Sequence, residues 1–403
     1  MRQSPHLLPL SQTWERGPGS EGFPKVKRMS EREDREIKNT TESFRALETF
    51  WQAALPEAFR NLYAHFPNPF VAPCEFYSLD EIAKGSGREF GMLPQYLPFG
   101  QSVGEGGAYG FYVTPETDQG LWPVLYWDPD EMFLRPVASD FEAFLRNCVL
   151  TGRYETESQW PDDLRNAQEI DERKQFAKML KLPEDVVFGP LPRNDYELRE
   201  RLAQIDPQDA YSLCWLGCAR LAKRDDERAL DFFHRASEAA PWFGDCAYLV
   251  ADVYRERDNM ARAVSGWWSV AQKLLPLCTR TQEWDLGENH PEADIYEVAA
   301  DALLQFGEEA DPALKENPLW RVVAVQDPYD ADVREKFGDF LLSQNDLMGA
   351  EREYLNALSL CCAERGKQPL RLYDNLIALY ERQGRKRDAA LARHDRALPR
   401  PAV

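Results

Sequence analysis

The stretch AYSLCWLGCARLAKRDDERALDFFHRASEAAPWF, residues 210–243, decides the fold of the C-terminal half of this chain. Two apolar runs at helical spacing are separated by the charged segment Lys223–Asp226, and Pro241 follows the second run. Gly217 and Ala229 occupy positions at which two antiparallel helices approach each other, and a close approach requires small side chains. The stretch therefore predicts a hairpin of two packed helices.

The order of residue types in this hairpin resembles that of the tetratricopeptide repeat, a unit of about 34 residues. The matching residues are Leu213, Leu216, Gly217, Ala229, Phe233, Ala236 and Pro241. One repeat length further on, the key positions hold Ala251, Ala263 and Trp267. Two later repeats begin at Ala331 and near Tyr373, and the matching residues of the first of these are Phe337, Gly338, Ala350, Tyr354 and Ala357.

This resemblance implies about five tetratricopeptide-like (TPR-like) hairpins over residues 194–398, because at least three stacked repeats are needed to bury a continuous core. We expect the helix Asn194–Ile205 to close the entry of the array and degenerate repeats to lie between residues 277 and 330. Such arrays are scaffolds, and their concave groove implies a site for a second partner or a homodimer.

The composition indicates an acidic globular protein. The chain has 403 residues, 43% of them apolar, and a formal net charge of −20 with a pI near 4.8. At roughly 150 residues per domain, this length predicts two or three units. An acidic surface repels a polyanion, so we expect a basic protein partner and no direct nucleic-acid binding. No apolar run approaches the roughly 18 residues that span a bilayer, so we expect a cytoplasmic protein without a membrane partner.

The cysteines offer one candidate metal site. Cys214 and Cys218 lie on one predicted helix face, and Cys246 opens the following hairpin. A structural zinc ion needs four ligands, usually in tighter pairs, and the histidines are scattered along the chain. We therefore interpret these thiols as small apolar core residues, and we expect no metal ion and no cofactor.

Residues 41–150 predict an α+β domain with a small antiparallel sheet and flanking helices. Apolar residues from Phe44 to Phe66 recur at helical spacing and predict two helices. A capping-box pattern predicts that a last helix is capped by Ser139. Segments rich in aromatic and β-branched residues, separated by turn residues, predict strands at 96–100, 108–113, 122–127 and, at an edge, 131–136. Residues 1–40 are expected to form a flexible leader and residues 151–193 a partly helical connector.

The order of these elements resembles the SUKH superfamily of bacterial immunity domains and fungal Smi/Knr-like regulatory domains. The resemblance covers about residues 43–150, roughly a quarter of the chain. The residues that carry it are Leu55-Pro56 with Phe59 and Tyr63, Leu79 with Glu81-Ile82, Leu97-Pro98-Phe99-Gly100, Gly107 to Tyr112, Pro123-Val124, and Ser139 with Phe141, Phe144 and Leu145. It implies binding to a specific protein, often a toxin effector such as a nuclease, and blocking of its active surface.

Three motifs suggest other chemistry. Residues 100–104, Gly-Gln-Ser-Val-Gly, match the nucleophile elbow of serine hydrolases, but that motif needs a strand-to-helix turn, and the following residues predict another strand. Residues 104–110 are rich in glycine and predict a hairpin turn instead of a phosphate-binding loop. Asp128, Asp130 and Glu131 flank Pro129 and predict a solvated β-turn instead of a calcium site. We therefore expect no catalytic residue.

Alternating aromatic residues on the predicted strands supply the candidate partner site. One face of the sheet must line the core, and aromatic residues exposed on the other face anchor protein interfaces. Acidic side chains nearby attract a basic partner: residues 41–150 hold 15 acidic and 6 basic residues, a net charge of −9. The candidate partner-binding residues are Tyr109, Tyr112, Trp122, Trp127, Asp128, Asp130 and Glu131.

These observations favour a non-enzymatic interaction protein that neutralises a toxin through its SUKH-like domain and binds a second partner through its repeats. One alternative is a regulatory adaptor or scaffold without a toxin target. A second alternative, from another class, is a hydrolase that uses Ser102.

Overall fold

The N-terminal part of the chain is a six-stranded sheet with helices on one face. The computed structural model describes residues 31–66, 69–71, 73–88, 92–103, 106–115, 122–159, 177–178, 181–183, 186, 189–284, 293–363 and 369–398. All neighbouring strands are antiparallel and lie in chain order. The strands are β1 (Phe70–Val71), β2 (Cys74–Phe76), β3 (Tyr96–Ser102), β4 (Ala108–Tyr112), β5 (Val124–Asp128) and β6 (Phe133–Ala138).

Within the described residues, these helices of five or more residues accompany the sheet: α1 (Glu31–Trp51), α2 (Glu57–His65), α3 (Leu79–Ala83) and α4 (Phe141–Gln159). The start of α3 is fixed by a capping box between Ser78 and Glu81, as its sequence predicts. The predicted Ser139 cap of α4 is wrong. The carboxylate of Asp140 accepts the backbone N–H of Ala143 instead, and Ser139 donates to Asp206.

In the described part of the C-terminal half, ten further α-helices have eight or more residues, and this region is here called the helical array. They are α5 (Asp195–Ile205), α6 (Ala210–Leu221), α7 (Asp226–Ala239), α8 (Gly244–Glu256), α9 (Met260–Ala271), α10 (Ile295–Ala302), α11 (Ala331–Ser343), α12 (Leu347–Ala363), α13 (Leu370–Arg382) and α14 (Lys386–Ala397). Residues 303–325 between α10 and α11 form a series of short helical segments, two of which, Leu303–Gly307 and Arg321–Val325, are π-helical.

Consecutive array helices pack closely where the sequence places small residues. A side chain at Gly217 would overlap the ring of Phe233, and one at Gly338 would lie 2.7 Å from the ring of Tyr354. Both aromatic rings are fully buried, so neither can move aside without a cavity or a clash. Small residues at these crossings therefore set the spacing of the hairpins α6–α7 and α11–α12, as the sequence predicts.

Over most of strands β3–β6 the sheet is buried on both faces. Its inner face packs against α1, α2 and α4, where the rings of Trp51 and Phe111 meet at 5.9 Å. Its outer face packs against the helical array, where the ring of Tyr112 lies 5.2 Å from that of Trp242. Outer-face residues of β3–β6 thus share one apolar core with the array. The expectation that one face of the sheet would be partly exposed is wrong for these strands.

Buried polar contacts also join the two halves. The Arg88 guanidinium donates to the Asp395 carboxylate from Nε at 2.6 Å and from Nη2 at 2.5 Å, and both side chains are at most 1% exposed. Gln95 Nε2 donates to Glu351 at 3.0 Å and to the Tyr380 hydroxyl at 2.7 Å. Since these contacts lie on the last three helices, α12, α13 and α14, the end of the array is fixed to the N-terminal half.

The described residues include only parts of the expected leader and connector. Helix α1 begins at Glu31, so the last residues of the expected leader are helical, while residues 1–30 lie outside the described residues. Residues 160–176 of the expected connector, together with 179–180, 184–185 and 187–188, also lie outside them. The overall class is confirmed: an α+β region with an antiparallel sheet is followed by an all-helical region.

Candidate protein-interaction surface

The acidic candidate residues lie on the turn between β5 and β6. Asp128 Oδ1 accepts the backbone N–H groups of Asp130 at 3.0 Å and of Glu131 at 3.1 Å. Met132 then adopts a positive φ of 60°, which reverses the chain into β6. The sequence prediction of a β-turn is correct, and the turn holds the Asp128 carboxylate in place through these two hydrogen bonds.

This acidic turn is accessible and touches the array. Asp130 and Glu131 are exposed, and Asp128 is half-buried. Glu131 forms an ion pair of 2.6 Å with Arg280, which also lies 3.3 Å from Asp294. Because Arg280 is nearly half exposed, this pair contributes little stability. Asp130 is an exposed acidic residue of the turn.

The aromatic candidate residues are buried. Tyr109 packs on Phe144 with ring centres 5.2 Å apart, and Tyr112 packs on Trp242 of the array. Trp122 and Trp127 are 4% and 2% exposed. The sequence indicated aromatic residues on both faces of the strands but not that a second layer would cover the outer face. These four side chains are therefore core residues of this structure, and the acidic members are the more accessible part of the predicted set.

A second accessible surface, which the sequence prediction missed, lies on β1, β2 and the last residues of β3. Cross-strand pairing places Phe70, Glu75 and Gln101 in one row on the outer face. Phe70 is 62% exposed, and Val103 at the end of β3 is 54% exposed. We call these four residues the outer rim. Nothing in the local sequence distinguishes the outer rim from buried strand residues, since the exposure of a strand residue depends on which elements pack on the sheet.

Ser102 ends β3 at a hairpin. Its backbone N–H donates to the carbonyl of Gly107 at 2.8 Å across the β3–β4 turn, as predicted, and Gly106 supplies a positive φ of 75° there. Gly104 and Glu105 lie outside the described residues. Ser102 lines a cavity of about 180 Å³ with Tyr109 and Asn147, among others, and no described lining residue is a histidine. Burial raises the pKa of Tyr109, so its hydroxyl remains protonated at neutral pH and is a poor general base.

Of the cysteines considered as ligands, two meet. Cys214 Sγ lies 3.3 Å from Cys246 Sγ in the core between α6 and α8. Within the ranges given above, no three His, Cys, Asp or Glu side chains are grouped closely enough to hold a metal ion. The thiols at these positions pack as apolar side chains.

Comparison with known proteins identifies the N-terminal region. The model of the SMI1 / KNR4 family (SUKH-1) matches residues 38–147. The chain carries a SUKH-1 domain. No curated protein matches this chain. The family match ends within α4, so the helical array lies beyond it.

The SUKH-1 domain thus holds both accessible surfaces described above. The acidic turn and the outer rim lie within the matched residues, and Glu75 is the acidic member of the rim. None of the helices in the described part of the chain is long and apolar enough to cross a membrane.

Proposed function

We propose that this chain is a non-enzymatic interaction protein whose SUKH-1 domain binds a basic protein partner. The observation that carries the proposal is the family match over residues 38–147, since the SUKH-1 family is generally non-catalytic and its members act in immunity or regulation. The net charge of −9 over residues 41–150 supports a basic partner, because opposite charges speed association and select partners. A toxin effector such as a nuclease has this character.

The acidic turn and the outer rim are the surfaces that we assign to this partner. Asp130 and Glu131 supply charge, and Phe70 supplies the large exposed apolar side chain on which interface affinity usually depends. An acidic surface with an apolar anchor suits a basic partner that has a shallow apolar depression.

For the helical array we propose a tetratricopeptide-like scaffold that serves the domain in two ways. Its packing against the outer face holds the sheet rigid, which reduces the entropy lost on binding. Its own exposed apolar residues, Leu304, Val325, Phe340 and Met348, lie outside the SUKH-1 match and offer a separate contact for a second partner or a second copy of this chain.

Co-expression tests this function. A toxin encoded beside the gene for this chain is expressed in a bacterial host with or without the full chain. We expect the full chain to restore growth and to co-purify with the toxin. Phe70→Asp combined with Asp130→Lys should abolish both effects, whereas the matched control Phe340→Asp on the array should preserve them. Growth arrest despite soluble full chain would overturn the immunity proposal, and co-purification without rescue would favour the regulatory adaptor.

A further inference from the structure

Cys214 and Cys246 form a close pair of thiols between neighbouring hairpins. Cys214 lies in the middle of α6 and Cys246 in the first turn of α8, and their sulfur atoms are 3.3 Å apart. Both side chains are almost completely buried, at 0% and 1% exposure. The pair therefore bridges two helices that belong to different hairpins and are separated in sequence by α7.

We infer that Cys214 and Cys246 are a redox-responsive modification site that closes to a disulfide and fastens the first two hairpins together. A disulfide requires sulfur atoms about 2.05 Å apart, so the two atoms need to approach by roughly 1.3 Å. Displacements of this size are within the range of small side-chain rotations in adjacent helices. Cys218 lies one turn after Cys214, which makes it a natural control.

Hydrogen peroxide is the oxidant class that this reaction requires. One thiolate attacks a peroxide oxygen, the O–O bond breaks, and a sulfenic acid and hydroxide form. The second thiol then attacks the sulfenic sulfur, the S–O bond breaks, and water leaves as the S–S bond forms. The two thiols lose two electrons and two protons in total, and one peroxide molecule is reduced to two waters.

Burial determines how fast the pair reacts. It raises the pKa of the Cys214 thiol well above its ordinary value, so little thiolate exists at neutral pH. The oxidant also reaches the pair only when the hairpins open locally. Disulfide formation should therefore be slow and should accelerate at higher pH, which separates this site from an exposed reactive cysteine.

The product should be more stable than the reduced chain. Closing a loop of about 33 residues removes conformational entropy from the unfolded state and so stabilises the folded chain. Because the entropy of unfolding grows with chain length, this stabilisation raises the Tm of a chain of this size by about 4 °C. Reduction by dithiothreitol should reverse the rise. Cys246→Ala should show no rise after peroxide treatment.

Peptide mapping of the full folded chain tests the inference. After peroxide treatment and alkylation of remaining thiols, we expect a linked pair of tryptic peptides that has lost two hydrogens. Cys214 and Cys218 share the peptide between Arg201 and Arg220, so Cys218→Ala assigns the link: it should persist in this variant and disappear in Cys214→Ala. Absence of the link in the folded wild type, its loss in Cys218→Ala, or its formation only in urea would overturn the inference. If a variant misfolds, mapping of the wild type alone still shows whether the link is absent from the folded chain or forms only in urea.

Discussion

The buried ion pair between Arg88 and Asp395 joins the SUKH-1 domain to the last helix of the array, and its removal should strongly destabilise the protein. Asp395→Ala leaves the Arg88 guanidinium buried without its carboxylate. Breaking a buried pair in this way costs about 3–5 kcal/mol of unfolding free energy. Arg88 also donates to the carbonyls of Tyr96 and Leu93, which remain as acceptors, so we expect a loss near the lower limit, about 3 kcal/mol.

Urea unfolding followed by tryptophan fluorescence measures this loss. A matched control lies beside the site: Asp374 pairs with Arg396 at 2.8 Å, but these side chains are 55% and 42% exposed. Asp374→Ala should therefore cost at most about 1 kcal/mol. The double variant Arg88→Met, Asp395→Leu removes both buried charges and should recover most of the stability lost in Asp395→Ala.

Two results would refute this reasoning. If Asp395→Ala and Asp374→Ala lower the unfolding free energy equally, burial does not control the strength of the pair. If the double variant is as unstable as Asp395→Ala, the loss arises from packing at this position and not from an uncompensated charge.

Three further predictions concern the core, the array and the outer rim. Burial raises the pKa of Asp245 to about 7, above its value in the unfolded chain, so the contribution of this carboxyl group to stability is complete below pH 4 and lost as pH rises to 7. The stability of the wild type relative to Asp245→Asn, measured by urea unfolding, should therefore be greater at pH 5 than at pH 8. An unchanged difference between the two pH values would contradict the pKa shift. Gly217→Ala should cost about 1–3 kcal/mol because its methyl group overlaps the Phe233 ring, and Phe233→Leu in the same chain should reduce that cost, as thermal unfolding would show. Phe70→Asp should change Tm by less than about 1 °C because its side chain is 62% exposed; a large fall in Tm would place Phe70 in the core.

The sequence by itself determined the local features of this protein. Gly217 and Gly338 allow two helices to pack closely, and alternating aromatic residues favour strands. Both patterns depend only on residues within one hairpin, so they can be read from the local sequence. The acidic turn follows from Asp128 and Pro129 in the same way. The family match at residues 38–147 agrees with the resemblance that the sequence motifs carry.

Tertiary structure alone decided which surfaces remain accessible. Arg88 contacts Asp395, which lies 307 positions later in the sequence, and Tyr112 of β4 contacts Trp242 of the helical array. No local sequence pattern encodes such pairs. An aromatic residue on a strand gives the same sequence pattern whether water or the helical array covers its side chain. The outer face became a core because the array packs on it, whereas Phe70 of β1 lies outside that shared core and is exposed.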